Sequence, residues 1–206
     1  MKIKVVKTGK TNDENSKRGK RAKRKGGQYE RTIAKKFKEA YGVELKRTPQ
    51  SGGFAKKSDK ADDYRGDITI VDTKMMLLLH IECKAHKTLS LKQWLKQAIS
   101  DCPTGRTPVV VFHRHGTSKD YIVLKSDTRN SLCDELFNFK FGFKVYDKTD
   151  CKQWKLLDWL DEAEQAHKRF PSLLIAYEGV NYEIVLLDDF LKVVPKDKVI
   201  GKRVFN

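Results

Sequence analysis

Long apolar runs are missing from this chain. The longest, Met75-Met76-Leu77-Leu78-Leu79, falls far short of the ~20 residues that cross a bilayer. The opening Met1-Lys2-Ile3-Lys4-Val5-Val6 lacks the apolar centre of a secretory signal, so no membrane partner and a cytoplasmic location are expected. Cysteine is sparse too: four residues, at positions 83, 102, 133 and 151, with no Cys-x-x-Cys pair. That spacing excludes a disulfide scaffold and a zinc finger, and reads as reduced, mostly buried thiols. The five histidines do not cluster; His113 and His115 stand at i, i+2 without a third ligand. Acidic residues are outnumbered, 27 Asp and Glu against 43 Lys and Arg, for a net charge of +16. An excess of that size points to polyanions as partners. The 206 residues suffice for one core, or one core with an elaboration.

The positive charge is uneven. Residues 1–25 carry Lys17-Arg18, Lys20-Arg21 and Lys23-Arg24-Lys25, with hardly an apolar side chain after Val6. Like charges at that density repel and bury no core, so the segment is expected to be a mostly disordered arm lying along phosphates. From Gly27 to Tyr41 the pattern turns helical, with Tyr29, Ile33, Ala34, Phe37 and Ala40-Tyr41 on one stripe and Gly42 closing it. Glu30 borders that stripe, either as a first-turn carboxylate or as an acid reaching a site through water. Val43-Glu44-Leu45-Lys46-Arg47 reads as a short strand. The polar stretch from Thr48 to Arg65 that follows, with Pro49, Gly52 and Gly53, reads as a mobile loop. Loops of that length are uncommon unless functional. Ser51, Lys56, Lys57 and Arg65 are suited to meet a backbone phosphate there.

The most chemical stretch is residues 66–84. Gly66-Asp67-Ile68-Thr69-Ile70-Val71 and Leu77-Leu78-Leu79-His80-Ile81-Glu82-Cys83-Lys84 read as two paired strands turning at Asp72-Thr73-Lys74. Alternation puts Glu82 and Lys84 on one face and Cys83 on the other. Asp67 and Glu82 are hard oxygen donors suited to Mg2+, and Lys84 beside them can orient water and offset charge building on a phosphate. The reaction this suggests is metal-assisted phosphodiester hydrolysis. Standing alone, a strand ending Glu-x-Lys is more often a solvated, salt-bridged edge.

A helix follows, with Ser90 as cap, Leu91, Trp94, Leu95, Ala98 and Ile99 as stripe, and Cys102-Pro103 as its end. Strands are expected at Pro108-Val109-Val110-Val111-Phe112 and Tyr121-Ile122-Val123-Leu124, which completes an α/β unit around a mixed sheet. The remainder echoes it. A shift of 65 positions aligns Trp94 with Trp159 and Glu82 with Asp147, while Lys84 meets Thr149. This is either a true duplication or two ordinary helix-strand-strand units; the second is not expected to cut in either case. The tryptophans are expected in the core rather than stacked on bases.

Taken together, Glu30, the run Arg47-Thr48-Pro49-Gln50-Ser51-Gly52-Gly53, Gly66-Asp67-Ile68 and Ile81-Glu82-Cys83-Lys84 resemble the PD-(D/E)XK nuclease superfamily, and within it the archaeal and viral Holliday junction resolvases. The resemblance covers about residues 26–125 and implies a restriction-endonuclease-like mixed central sheet flanked by helices. Residues 126–206 would be a C-terminal α/β extension of unknown role. Carried over by position, it implies Asp67, Glu82 and the Cys83 carbonyl as metal ligands, Lys84 as catalytic lysine, and Glu30 completing the acidic cluster. Ser51 would act near the scissile phosphate. Gln97, with Gln93 as the fallback, would stand beside the site. Arg47, Lys56, Lys57, Arg65, Lys23, Arg24 and Lys25 would contact DNA. Gly66 stands where the superfamily often has proline. The implied activity is Mg2+-dependent cleavage, with Mn2+ a possible substitute, of branched DNA by a homodimer, in the host cytoplasm if the source is viral. The rivals are a restriction-like or repair endonuclease on duplex DNA and a non-catalytic DNA-binding protein on a nuclease fold.

Overall fold

Tyr29, Ile33, Phe37 and Tyr41 recur every fourth residue, and the helix they require forms. In the computed structural model, which describes residues 12–49, 65–132, 144–146 and 172–203, helix α1 spans Asn12–Tyr41 and its chain turns at Gly42, whose N–H donates to the Lys38 carbonyl at 2.8 Å. It begins earlier than its apolar stripe predicts. Residues 12–25, expected as a disordered arm, are helical although positions 14–25 are all exposed. The reason is that Lys, Arg, Ala and Glu are good helix formers, and extending a helix already anchored by Ile33 and Phe37 needs no new nucleus.

Strand β1 (Leu45–Arg47) pairs antiparallel with β2 (Ile68–Ile70), and β3 (Met75–Leu77) with β10 (Ile200–Lys202). The hairpin expected between residues 66–71 and 77–84 is therefore not what forms. The run breaks at Leu78, whose N–H donates to the Val199 carbonyl and whose carbonyl accepts from Thr107. After that break, β4 (Leu79–His86) joins the main sheet. Asp67 still reaches β4 through one backbone–backbone bond, its N–H to the Ile81 carbonyl at 2.9 Å.

The main sheet has six strands in the order β4-β5-β6-β9-β8-β7. Its other members are β5 (Thr107–Arg114), β6 (Asp120–Lys125), β7 (Lys144–Tyr146), β8 (Ser172–Tyr177) and β9 (Val180–Leu186). The pairs β4–β5 and β7–β8 are parallel; the other three are antiparallel, so the sheet is mixed. Helix α2 (Leu91–Asp101) makes the crossover between β4 and β5. Short helices α3 (Ser126–Leu132) and α4 (Leu187–Val193) directly follow β6 and β9, and α5 (Lys196–Val199) precedes β10. This is the restriction-endonuclease-like arrangement that the sequence implies.

Both faces of the sheet are covered, as alternation along the strands demands. On one face Ile33, Phe37 and Tyr41 of α1 and Phe190 of α4 pack with Ile81, Val109, Val111, Ile122 and Val185. On the other, Leu91, Trp94, Leu95 and Ala98 of α2 pack with Val110, Phe112, Tyr121, Val123 and Ile184. Trp94 is thus a core residue; Trp154 and Trp159 lie outside the described residues. Each fully buried Phe or Ile contributes about 1.5–3 kcal/mol, enough to fix α1 and α2 relative to β4. Among the described residues, no helix is long and apolar enough to cross a membrane.

The expected echo between halves is present as topology. A parallel pair, an antiparallel return and a seven-residue helix occur twice, as β4-β5-β6-α3 and β7-β8-β9-α4, and the halves meet where β6 pairs with β9. One row of paired residues crosses the sheet: Glu82, Val110, Val123, Ile184, Leu173, Lys144. By this row the counterpart of Glu82 is Lys144, and that of Lys84 is Tyr146. The gapless shift of 65, which matched Glu82 to Asp147, misses this because the connections of the two halves differ in length.

Candidate active site

The candidate residues gather along β4, the edge strand of the main sheet. Asp67 enters from the turn before β2. Its backbone is tied at both ends, the N–H to Ile81 and the carbonyl to the Thr48 N–H, each at 2.9 Å. Its Oδ2 accepts from the Cys83 N–H at 2.8 Å. The N–H and C=O of one strand residue face the same edge, so the Cys83 carbonyl also faces Asp67. The turn requires glycine. Gly66 has φ +86°, and a Cβ there would lie 3.2 Å from both His80 Nδ1 and the Ile81 carbonyl. The proline that the superfamily often carries has φ near −65° and could not make this turn.

Glu82 is 6% exposed and Asp67 9%, and both carboxyls titrate above their ordinary range. Burial is the largest cause for each. For Asp67 the neighbouring charge of Glu82 adds to it, against the Cys83 N–H, and the group is pushed up to about 7. For Glu82 the bond from Lys84 opposes burial without cancelling it. Lys84 Nζ donates to Glu82 Oε1 at 2.6 Å and to Gln97 Oε1 at 2.9 Å, while Gln93 is an exposed residue one turn earlier on α2. The Cys83 thiol is buried and pushed well up, first by desolvation and then by Asp67, Glu30 and Glu82. Three acids therefore act on one point.

Glu30 differs from the expected third acid in having a partner: Arg47 Nε donates to its Oε2. Arg47, expected on phosphate, here crosses from β1 to α1. Lys23 and Arg24 stand exposed on α1 and line a groove with Arg47; Lys25 is exposed but not part of that lining. Arg65 is exposed just before Gly66. Ser51, Lys56 and Lys57 lie outside the described residues. Among the described residues no three acidic, His or Cys side chains form a ready metal cluster. The donor set nevertheless suits a hard divalent cation: two buried carboxylates, the charge of Glu82 adding to burial in raising Asp67, next to a carbonyl on the same edge.

Sequence reading passed over one cluster. Asp120, 8% exposed, accepts from Tyr29 at 3.2 Å, meets His113 Nδ1 at 3.0 Å, and pairs with Lys36 at 2.9 Å; Lys36 also reaches Asp188. It ties α1 to β5, β6 and α4 one residue from Glu30, and no local pattern joins residues so far apart in the chain. Arg31 was passed over too, although its spacing from Lys20, Arg24 and Gly27 on α1 carried the signal.

A mixed sheet flanked by helices, with two buried carboxylates and a lysine on its edge strand, defines a nuclease of the PD-(D/E)XK superfamily. The chain belongs to the family described as phage putative PDDEXK endonuclease, which it matches over residues 21–170. No curated protein and no solved structure matches it.

Proposed function

We propose that this nuclease hydrolyses DNA phosphodiesters with Mg2+, prefers branched DNA such as four-way junctions, and acts as a homodimer. The observation that carries the chemistry is the pairing of buried Asp67 and Glu82 beside a Lys84 held by Glu82 and Gln97. Asp67, Glu82 and the Cys83 carbonyl would hold the ion. A divalent cation held there supplies Lewis acidity, polarising a phosphate oxygen and lowering the pKa of a water.

The chain's own groups do the rest. Lys84 has three ammonium protons; two are engaged by Glu82 and Gln97, which fixes the side chain and leaves the third for a phosphate oxygen or the attacking water. Its charge offsets that building on the phosphate. The Cys83 N–H keeps Asp67 aimed at the Glu82 side. The preference for branched DNA rests on the order of motifs from Glu30 to Lys84 and on the basic surface. Each chain carries one such set among the described residues, so two symmetric cuts need two chains.

Cleavage of a labelled four-way junction beside linear duplex, in Mg2+ or EDTA, tests this reading. Paired Mg2+-dependent nicks in the junction support it. Equal cutting of linear duplex would make the protein a general or restriction-like endonuclease, and binding without cutting on any DNA would overturn catalysis.

A further inference from the structure

We infer that the groove where α1 passes β1 seats the sugar-phosphate backbone of a DNA duplex arm beside the cut, and that the exposed first half of α1 continues the track. This rests on the reading of the protein as a DNA nuclease. The groove has a volume of about 360 Å3 and is lined by Lys20, Lys23, Arg24, Gly27, Arg31 and Arg47. Its lining holds five cations and no acid. On a helix, residues 20, 23, 24, 27 and 31 fall on one face, and Glu30 borders it.

Arg47 forms the floor. Gly27 lets it lie against the helix, since a Cβ there would stand 3.3 Å from the guanidinium carbon. Its Nε is given to Glu30 and the side chain lines the groove, and a guanidinium engaged through Nε keeps the planar Nη pair that suits a phosphate. The groove therefore ends at an acid of the candidate site.

Two contrasts single out this surface. The neighbouring groove on the other side of Arg31 and Arg47 contains two acids, Glu39 and Glu44, which pair with Lys35 and Lys38, so part of its charge is met from within. Meanwhile α1 before Gly27 is polar on every face, and such a helix ordinarily spans to a partner or is not stable. Lys17/Arg21, Lys20/Arg24 and Arg21/Lys25 stand at i, i+4, where like charges oppose the helix and a polyanion would relieve them. The helical residues 12–25 add roughly 20 Å of reach at the α-helical rise, more than half of a duplex turn of about 34 Å.

The test compares the full chain with the triple variant Lys20→Ala, Lys23→Ala, Arg24→Ala and with a charge-matched control, Lys196→Ala, Lys198→Ala, Lys202→Ala. Binding of a fluorescent linear duplex is followed in EDTA over a salt series, and cutting is followed in Mg2+. The groove variant is expected to bind about tenfold or more weakly. The slope of log affinity against log salt should flatten by about two to three, as for three lost phosphate contacts. Its KM should rise with kcat kept, and the control should match wild type. An unchanged slope, or an equal loss in the control, would overturn the groove. The groove is read from binding and the nuclease reading from cutting, so a wild type that binds through the groove but cuts nothing overturns only the latter, and one that binds no DNA overturns both.

Discussion

The two ends of the central sheet are built alike and equipped differently. The row that starts at Glu82 on β4 ends at Lys144 on β7, and counted along the chain from that row the Glu-Cys-Lys of one edge corresponds to Lys144-Val145-Tyr146 at the other. Strand order and direction are therefore not what makes the site. What differs, beyond the side chains, is the flank: Asp67, Glu30 and Arg47 come from the turn before β2, from α1 and from β1, which precede the repeated unit. The stretch 133–143 between α3 and β7 is too short to repeat them, since α1 alone has 30 residues.

The largest effect should come from removing the chemistry at one edge only. Lys84→Ala is expected to lower the cutting rate by about 10³-fold, the scale seen for losing one positioned electrostatic group, with DNA binding kept. Tyr146→Ala, the counterpart counted along the chain from the shared row, should leave the rate within about twofold, since it stands on the opposite edge strand of the sheet from Glu82 and Lys84. Single-turnover cleavage by both variants measures this. A comparable loss at Tyr146 would mean that the far edge takes part in catalysis and would break the comparison.

Glycines sharpen it next. Gly66 and Gly179 both have positive φ, +86° and +76°, one at the candidate site and one in the β8–β9 hairpin. Alanine at either should cost about 1–2 kcal/mol for the left-handed backbone. Only at Gly66 does the added Cβ meet neighbours, His80 and the Ile81 carbonyl; at Gly179 nothing lies within 4 Å. Gly66→Ala is therefore expected to displace Asp67 and cut activity by about 10–100-fold, because small misplacements of reacting groups are costly. Gly179→Ala should lower the melting temperature with the rate per folded molecule unchanged. Melting curves and cleavage rates on the same preparations separate the two.

The buried carboxylate pair puts a pH-dependent strain on the β4 edge. Asp67 is pushed up to about 7 from an ordinary 3.8, chiefly by burial and Glu82. Between those pH values the folded protein holds a proton that the unfolded chain has lost, so the stabilisation is full below about pH 4 and is lost as pH rises through about 7. His80, buried and lowered to about 4, has the opposite slope over part of that range, so the wild-type curve alone mixes them. Asp67→Asn isolates the acid. In EDTA its melting temperature should gain on wild type as pH rises from 4 to 7, by about 2–4 °C per kcal/mol in a chain of this size. Mg2+ should narrow the gap by raising wild type alone. A gap that does not change with pH would remove the proposed strain between Asp67 and Glu82.

Much of this was readable in the sequence because it is local. The stripe from Tyr29 to Tyr41, the alternation around Glu82 and Lys84, and the apolar strands at 107–114, 120–125 and 172–177 each declare themselves within a few residues. Pairing did not. Whether β2 joins β1 or β4 is decided by Leu78, whose bonds to Val199 and Thr107 come from distant segments. The same holds for Asp120, which gathers Tyr29, Lys36 and His113 from across the chain. The basic arm was misread for another reason: repulsion was weighed without the anchored helix that follows it. The repeat was seen in sequence, but its alignment needed the ladder, which puts Lys144 and not Asp147 opposite Glu82.

The smallest expected effect concerns the second partner of Lys84. Gln93 and Gln97 stand one turn apart on α2, yet only Gln97 reaches the ammonium, at 2.9 Å. Glu82 alone would still hold Lys84 close, but with one anchor the side chain can rotate about that bond, and the proton meant for the phosphate is no longer aimed. Gln97→Ala should thus lower kcat by roughly fivefold with KM nearly constant, the loss of one neutral hydrogen bond of about 1 kcal/mol. Gln93→Ala should change neither. Because Gln97 acts through Lys84, the two losses should not add: Gln97→Ala in a Lys84→Ala background should have no further effect, since nothing remains for the glutamine to aim. A further drop there would place Gln97 on the substrate directly, and its role at this edge of the sheet would be contact rather than positioning.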